Sequence, residues 1–200
     1  MSLESAAPVI CLASASPRRR DLLWQIGVPH KAVSADLDER ALPGESPDDY
    51  VERLALEKAM TVRNRGERLP VLAADTAVVL EGTIYGKPTD RADALAMLGK
   101  LSGRVHQVLT AVALATERSV ELRVSAATVR LRELTLAERE AYWQTGEPSG
   151  KAGAYAIQGF GAVFVESLSG SYTAVVGLPL AETAALLRTA GLAYWQGRRA

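Results

Sequence analysis

The stretch Leu12-Ala-Ser-Ala-Ser-Pro-Arg-Arg-Arg-Asp-Leu-Leu23 sets two hydroxyls and three guanidinium groups where a short apolar run gives way to a helix. Ser16 suits the N-cap, and Pro17 suits the first helical position because its missing N–H costs nothing there. Free backbone N–H groups, the Ser14 and Ser16 hydroxyls, and Arg18, Arg19 and Arg20 together fit a phosphate-bearing ligand. The plainer reading, a capped helix with a solvated basic first turn, uses the same residues. Two further ionisable residues stand out by position. Lys58 falls seven residues after Val51 and four after Leu54, on the apolar stripe of its helix, where a lysine either snorkels along the core edge or serves a site. Asp75 sits inside the most strand-like segment of the chain, Val71 to Leu80, where a carboxylate is expensive to bury unpaired. It is either hydrogen-bonded at a bulge or edge, or held for metal or water chemistry. The acidic run Asp36-Leu-Asp-Glu39 reads as a solvated loop or as a source of oxygen ligands.

The elements that must position these residues alternate between helices and extended segments. Val9 to Ala13 is apolar enough for a buried strand, and Gly27 stops the helix that follows it. Lys31 to Ala35 reads as a short strand. Ser46-Pro47-Asp48-Asp49 opens a helix to about Asn64. Glu81-Gly82 turns the chain into a return strand, Thr83 to Tyr85, and Thr89 caps a helix from about Asp90 to Leu101. Val105 to Thr116 and Val120 to Arg132 read as a hairpin. Thr135-Leu-Ala-Glu138 is a capping box starting a helix to about Thr145. Lys151 to Gly161 is glycine-rich without being a Walker A sequence, so its glycines are either turns or points of close backbone approach to a ligand. Val163 to Ser167 and Ser171 to Val176 read as a last pair of strands, and Pro179 begins a closing helix to about Thr189.

Composition bounds the function classes. The 200 residues are 48% hydrophobic, sufficient for one well-buried domain or two intimately packed lobes, with tails expected at about 1–8 and 193–200. Lys plus Arg and Asp plus Glu both total 23, which argues against a nucleic-acid partner. Neither a signal peptide nor a membrane span is expected, so the cytoplasm is the default location. Cys11 is the one cysteine and His30 and His106 the two histidines. That excludes an intrachain disulfide and leaves nucleophile triads and histidine-rich metal sites without support. Cys11 and His106 are expected to pack in the core.

Together with Ala74-Asp75-Thr76, Gly86-Lys87-Pro88, Lys151-Ala-Gly-Ala-Tyr-Ala-Ile-Gln-Gly159 and Ser171-Tyr-Thr-Ala-Val-Val-Gly-Leu-Pro-Leu180, the opening motif resembles the Maf family of nucleoside triphosphate pyrophosphatases. The motifs occur in the family's order from about Leu12 to Leu187, and within the family the likeness is to the dTTP/UTP pyrophosphatase branch. The resemblance implies a mixed α/β fold of the Maf/ITPase-like type, with an elongated, bent mixed sheet shared by two lobes, a central active cleft, and commonly a homodimer. It implies that Asp75 is the catalytic proton acceptor, with Glu39, Lys58 and Lys87 as the other functional polar residues, and that Arg18, Thr76 and Gln158 select the base.

The chemistry of such a substrate is demanding in a specific way. A nucleoside triphosphate brings several negative charges and an unreactive α-phosphorus, so the charge must be neutralised, a water placed in line, and departing pyrophosphate stabilised. Ser14, Ser16 and Arg18 suit phosphate oxygens, and Lys58 and Lys87 suit the leaving pyrophosphate. Glu39 and Asp75 suit a divalent cation, magnesium with manganese as the alternative, because such ions prefer oxygen ligands. Two other functions remain open at this stage: a nucleotide-binding regulator of septum formation without turnover, and a purine-selective ITP/XTP pyrophosphatase.

Overall fold

The computed structural model describes residues 6–195. Six α-helices and a mixed sheet of seven strands occur among these residues, an α/β architecture as expected. Strand β1 (Ile10–Leu12) is fully buried, as a continuous apolar run flanked on both faces must be. It leads into α1 (Pro17–Gln25) and then β2 (His30–Ala32), which lies parallel to β1 with Ile10 opposite His30. Helix α2 (Pro47–Asn64) carries the chain to β3 (Val71–Leu80), parallel to β1 on its other side with Cys11 opposite Val71. Both connections are helical crossovers, which parallel neighbours require. Strand β4 (Thr83–Tyr85) folds back antiparallel on β3. After α3 (Arg91–Leu101), the long strands β5 (Val105–Ala115) and β6 (Val120–Leu131) are neighbours around a turn in which the Thr116 N–H donates to the Ser119 carbonyl at 2.8 Å. Helix α4 (Leu136–Gln144), two 3-10 turns, β7 (Val165–Ser169), α5 (Tyr172–Val176) and α6 (Leu180–Thr189) complete the chain. The sheet order is β2-β1-β3-β5-β6-β7, with β4 paired to β3.

The described chain divides into two compact units. The first takes the N-terminal part through Asp75, Thr110–Ser125 and the segment from Gly177; the second takes Thr76–Leu109 and Ala126–Val176. Of the expected tails, 1–5 and 196–200 lie outside the described residues. Trp195 is not loose, since its N–H donates to the Ile26 carbonyl at 2.6 Å. Among the described residues no helix is long and apolar enough to cross a membrane.

Several local expectations are corrected. The Ser16 side chain makes no cap bond; its N–H donates instead to Ser14 Oγ at 3.1 Å. The cap of α3 is Asp90, whose carboxylate accepts from Asp93 N at 2.8 Å, while Thr89 bonds the Asp93 carboxylate. Of the expected last pair of strands only the first exists, shifted by two residues. Phe160–Phe164 is a 3-10 turn, the strand is Val165–Ser169, and Tyr172–Val176 is a helical turn started by Ser171 Oγ accepting from Ala174 N at 3.2 Å. A β-rich local composition gives way here to a hydroxyl cap and to packing.

Candidate active site

In the first unit, α2 and β3 bring opposite charges together inside the protein. Ser46 caps α2 by accepting from Asp49 N, and Pro47, Asp48 and Asp49 fill its first turn, so the helix phase is fixed from its N-terminus. With that phase Tyr50, Leu54 and Lys58, spaced four apart, lie along one row, and all three are buried. Lys58 is 7% exposed and Asp75, on β3, 6%. The Lys58 ammonium lies 2.6 Å from Asp75 Oδ1 and 2.6 Å from Glu39 Oε1. The snorkelling reading of Lys58 therefore gives way to a buried cation bridging two carboxylates.

Glu39 reaches this position from an irregular segment strapped to α2. The Tyr50 hydroxyl donates to the Glu39 carbonyl at 3.0 Å, and Arg53 donates to the Arg40 carbonyl at 3.2 Å while pairing with Glu45 at 2.5 Å. Glu45 in turn accepts from Leu42 N at 2.9 Å. The acidic run is thus a positioned loop, with Asp38 and Arg40 paired on its exposed side.

Arg19 completes the cluster. Its Nε donates to the Gly177 carbonyl at 2.7 Å and its Nη1 to Ser14 Oγ at 3.4 Å. Burial pulls the Arg19 guanidinium below its ordinary value, opposed by the charges of Asp75 and Glu39. Burial pushes Asp75 above the usual carboxylate range; Lys58 and Arg19 oppose the rise and Glu39 adds to it. A carboxylate so placed is a better base than an exposed one and still has cations to favour its ionised form. The oxygen donors of Glu39 and Asp75 suit a hard divalent ion. No group of three or more His, Cys, Asp or Glu side chains suited to a metal occurs among the described residues, so water and phosphate oxygens would complete its shell.

The sequence reading singled out Arg18 and gave Arg19 no role of its own beyond the basic first turn. The separating signal was present: Arg19 precedes the buried Leu22 and Leu23 by three and four residues, so it shares their face of α1. Arg18 is half-buried at the start of α1, Ser16 is half-buried beside it, and Ser14 is buried with its oxygen accepting from Ser16 and Arg19. The roles of Tyr50 and Arg53 on α2 were missed because their partners Glu39, Arg40 and Glu45 lie in an irregular segment with no periodicity to read.

Thr76, Lys87 and Gln158 belong to the second unit. Thr76 follows Asp75 directly on β3 and is half-buried, whereas Lys87 and Gln158 are exposed. The segments holding the last two are joined, because the Gly153 N–H donates to the Gly86 carbonyl at 3.0 Å. Gly153 has φ +66°, and a Cβ there would lie 3.0 Å from the Val78 methyls, so this crossing needs glycine on two grounds. His106 and Cys11 are core residues as expected. His106 Nε2 is 2.8 Å from the Tyr155 hydroxyl, and burial lowers the imidazole to about 4. Cys11 is fully buried, with its thiol raised to about 11, first by burial.

A mixed α/β protein in which a buried lysine bridges the buried Asp75 and the half-buried Glu39, next to a strand-to-helix loop rich in hydroxyls and arginine, is of a class suited to a phosphate-bearing ligand. Comparison narrows the class: residues 9–190 match the family described as Maf-like protein, and the chain belongs to the Maf family. Among its relatives, a protein of Saccharophagus degradans named dTTP/UTP pyrophosphatase is 53% identical over 92% of this chain and 90% of its own length. Proteins of the same name from Bordetella parapertussis and Hahella chejuensis are 51% and 49% identical, covering 96% and 93% of this chain and 97% and 94% of theirs. A solved structure, the Staphylococcus aureus Ham1 protein, aligns with 78% of this chain and 79% of its own at a TM-score of 0.46 and 16% identity.

Proposed function

We propose that this protein hydrolyses dTTP and UTP between the α- and β-phosphates, giving the nucleoside monophosphate and pyrophosphate. The observation that carries the reading is the buried Glu39–Lys58–Asp75 bridge, in a chain about half identical over nearly its full length to proteins named for that reaction. A protein that only sensed a triphosphate would gain nothing from two carboxylates set among the cations that hold phosphate.

Asp75 takes the proton of the attacking water, with its raised pKa supplying basicity. Lys58 and Arg19 keep the ionised form of Asp75 available and, with Lys87, balance charge on the leaving pyrophosphate. Arg18 and the Ser14 and Ser16 loop hold phosphate oxygens. Glu39 and Asp75 would hold Mg2+, or Mn2+ in its place, and that ion would neutralise phosphate charge.

Arg18, Thr76 and Gln158 read the base. Uracil and thymine present a carbonyl–NH–carbonyl edge, which the Gln158 amide meets with one donor and one acceptor and Arg18 supplements as a donor. We place the enzyme in the cytoplasm as a homodimer acting on free nucleotides, with neither nucleic acid nor membrane as partner. The test is pyrophosphate release with magnesium across canonical and modified triphosphates. Preference for dTTP and UTP supports the reading, preference for ITP and XTP replaces it with the purine-selective enzyme, and binding without turnover leaves a regulator of septum formation.

A further inference from the structure

The glycine-rich run of the second unit has an internal support that its sequence does not announce. Gln158 lies at the tip of a turn closed by the Gly159 N–H donating to the Ala156 carbonyl at 3.3 Å. Both ends of that turn are held by one pair of side chains. On the entering side, the Ala156 N–H donates to the Tyr142 hydroxyl at 3.1 Å. That hydroxyl donates its own proton to Glu147 Oε2 at 2.6 Å. On the leaving side, Glu147 Oε1 accepts from Phe160 N at 3.0 Å and Oε2 from Gly161 N at 2.9 Å. The turn is therefore closed into a ring: backbone at 156, tyrosine, glutamate, backbone at 160 and 161.

Three features mark this as a specified arrangement. Tyr142 is 4% exposed, and its ring meets Phe164 edge-on at 4.9 Å, so the hydroxyl is aimed by packing. The glycines make room for the clamp: a Cβ on Gly159 would overlap Glu147 Oε1, and one on Gly161 would lie 2.7 Å from the Tyr142 hydroxyl and 2.9 Å from the Ala156 carbonyl. The hydrogen bonds from Tyr142, Gly161 and Phe160 hold the Glu147 carboxyl below its ordinary value against the opposing effect of burial. An ionised carboxylate accepting three bonds is the form the clamp requires. What Gly159 and Gly161 approach closely is a pair of protein side chains, not the ligand that the glycine-rich run suggested.

We infer that the Tyr142–Glu147 pair is a positioning device for base selection, fixing the turn that presents the Gln158 amide. The inference rests on the proposed reading of Gln158 as a base-reading residue. Neither Tyr142 nor Glu147 touches the substrate. Their effect is to remove the turn's freedom before binding, so that the amide meets the pyrimidine edge without first being ordered.

The test compares Tyr142→Phe, which keeps the packed ring and deletes the bridging hydroxyl, with Glu147→Gln, which puts an amide NH2 against groups that themselves donate. Each is assayed for kcat/KM on dTTP, UTP and dGTP, alone and combined with Gln158→Ala. Each single variant should lose roughly tenfold or more of the dTTP-to-dGTP preference, chiefly through a higher KM for dTTP. The loss should vanish in the Gln158→Ala background, where no oriented amide remains. Hydrogen exchange at the Phe160 and Gly161 amides should quicken in Glu147→Gln while α4 stays protected. Unchanged preference in both folded variants overturns the inference and leaves the dTTP/UTP reading standing. An equal loss on all three substrates that persists without Gln158 also overturns it, by making the pair structural. Absence of dTTP and UTP hydrolysis by the unmodified protein removes the functional reading and the inference with it.

Discussion

Lys58→Met separates a buried functional ion cluster from a packed lysine. The sequence alone leads to an expectation of nearly unchanged stability, because methionine preserves most of the aliphatic stem. The structure reverses it. Asp75 is 6% exposed and its nearest cation is the Lys58 ammonium at 2.6 Å, so the variant leaves a carboxylate buried without its main partner. Breaking a buried pair from one side costs about 3–5 kcal/mol. Arg19 also acts on Asp75, which argues for the lower end, about 3 kcal/mol. For a chain of this size that is a melting-temperature drop of roughly 6–12 °C at neutral pH. Glu39, about one-third exposed, can turn to water and adds little. Two controls sharpen the result. Lys58→Met with Asp75→Asn removes both buried charges and should recover most of the loss. The Lys58→Met deficit should also narrow on acidification, because Asp75 already titrates above its ordinary value and does so more readily without the lysine. The assay is urea unfolding of the parent, the two single variants and the double variant at several pH values. A Lys58→Met protein within about 1 kcal/mol of the parent at pH 7 would refute the buried-bridge argument.

Other expectations follow from the same contacts. Asp75→Asn should lower turnover by at least ~10²-fold with folding intact by circular dichroism, and near-parental activity would make Asp75 structural. His106 falls from 6.5 to about 4 in the folded state, so the unfolded chain takes up its proton first. Stability should therefore decline from about pH 6.5 to about pH 4, by about 3 kcal/mol in all, and the imidazole should titrate near the lower limit by NMR. Glu45 and Glu138 are held at about 2 by Arg53 and Arg132, from an ordinary 4.5; what they contribute is complete above about pH 4.5 and lost as the pH falls to about 2, readable as a second acid loss that is smaller in Glu45→Gln and absent when Glu138→Gln is added. Combining Arg18→Trp, Thr76→Gln and Gln158→Glu should lower dTTP and UTP hydrolysis and raise that of 7-methyl-GTP, as indole stacking and a carboxylate suit a methylated guanine; an unchanged substrate ranking would show that these residues do not read the base.

Most of the fold was legible because its signals are local. The caps Ser46 and Thr135, the turn at Glu81-Gly82 and the unbroken apolar run at β3 each predict their element without help from the rest of the chain. Tyr172–Val176 misled for the opposite reason, since its β-prone residues fold as one helical turn under a Ser171 cap and tertiary packing. At the site, Lys58 and Asp75 were visible as charges in apolar patterns, a conflict that periodicity exposes. Their partnership was not, because residues 17 positions apart on a helix and a strand meet only through topology. Tyr142 and Glu147 stayed hidden for a related reason. Tyrosine on a helix and glutamate in a Gly-Glu-Pro loop are ordinary until the backbone of 156–161 is folded against them.

The most direct test of the central claim is where the bond breaks. Hydrolysis of dTTP by the unmodified protein in water enriched in oxygen-18, followed by phosphorus NMR, reads the attacked atom. The account predicts dTMP carrying the heavy oxygen and unlabelled pyrophosphate, with both products lost in Asp75→Asn. Label in the pyrophosphate, or dTDP with orthophosphate as the first products, would contradict it.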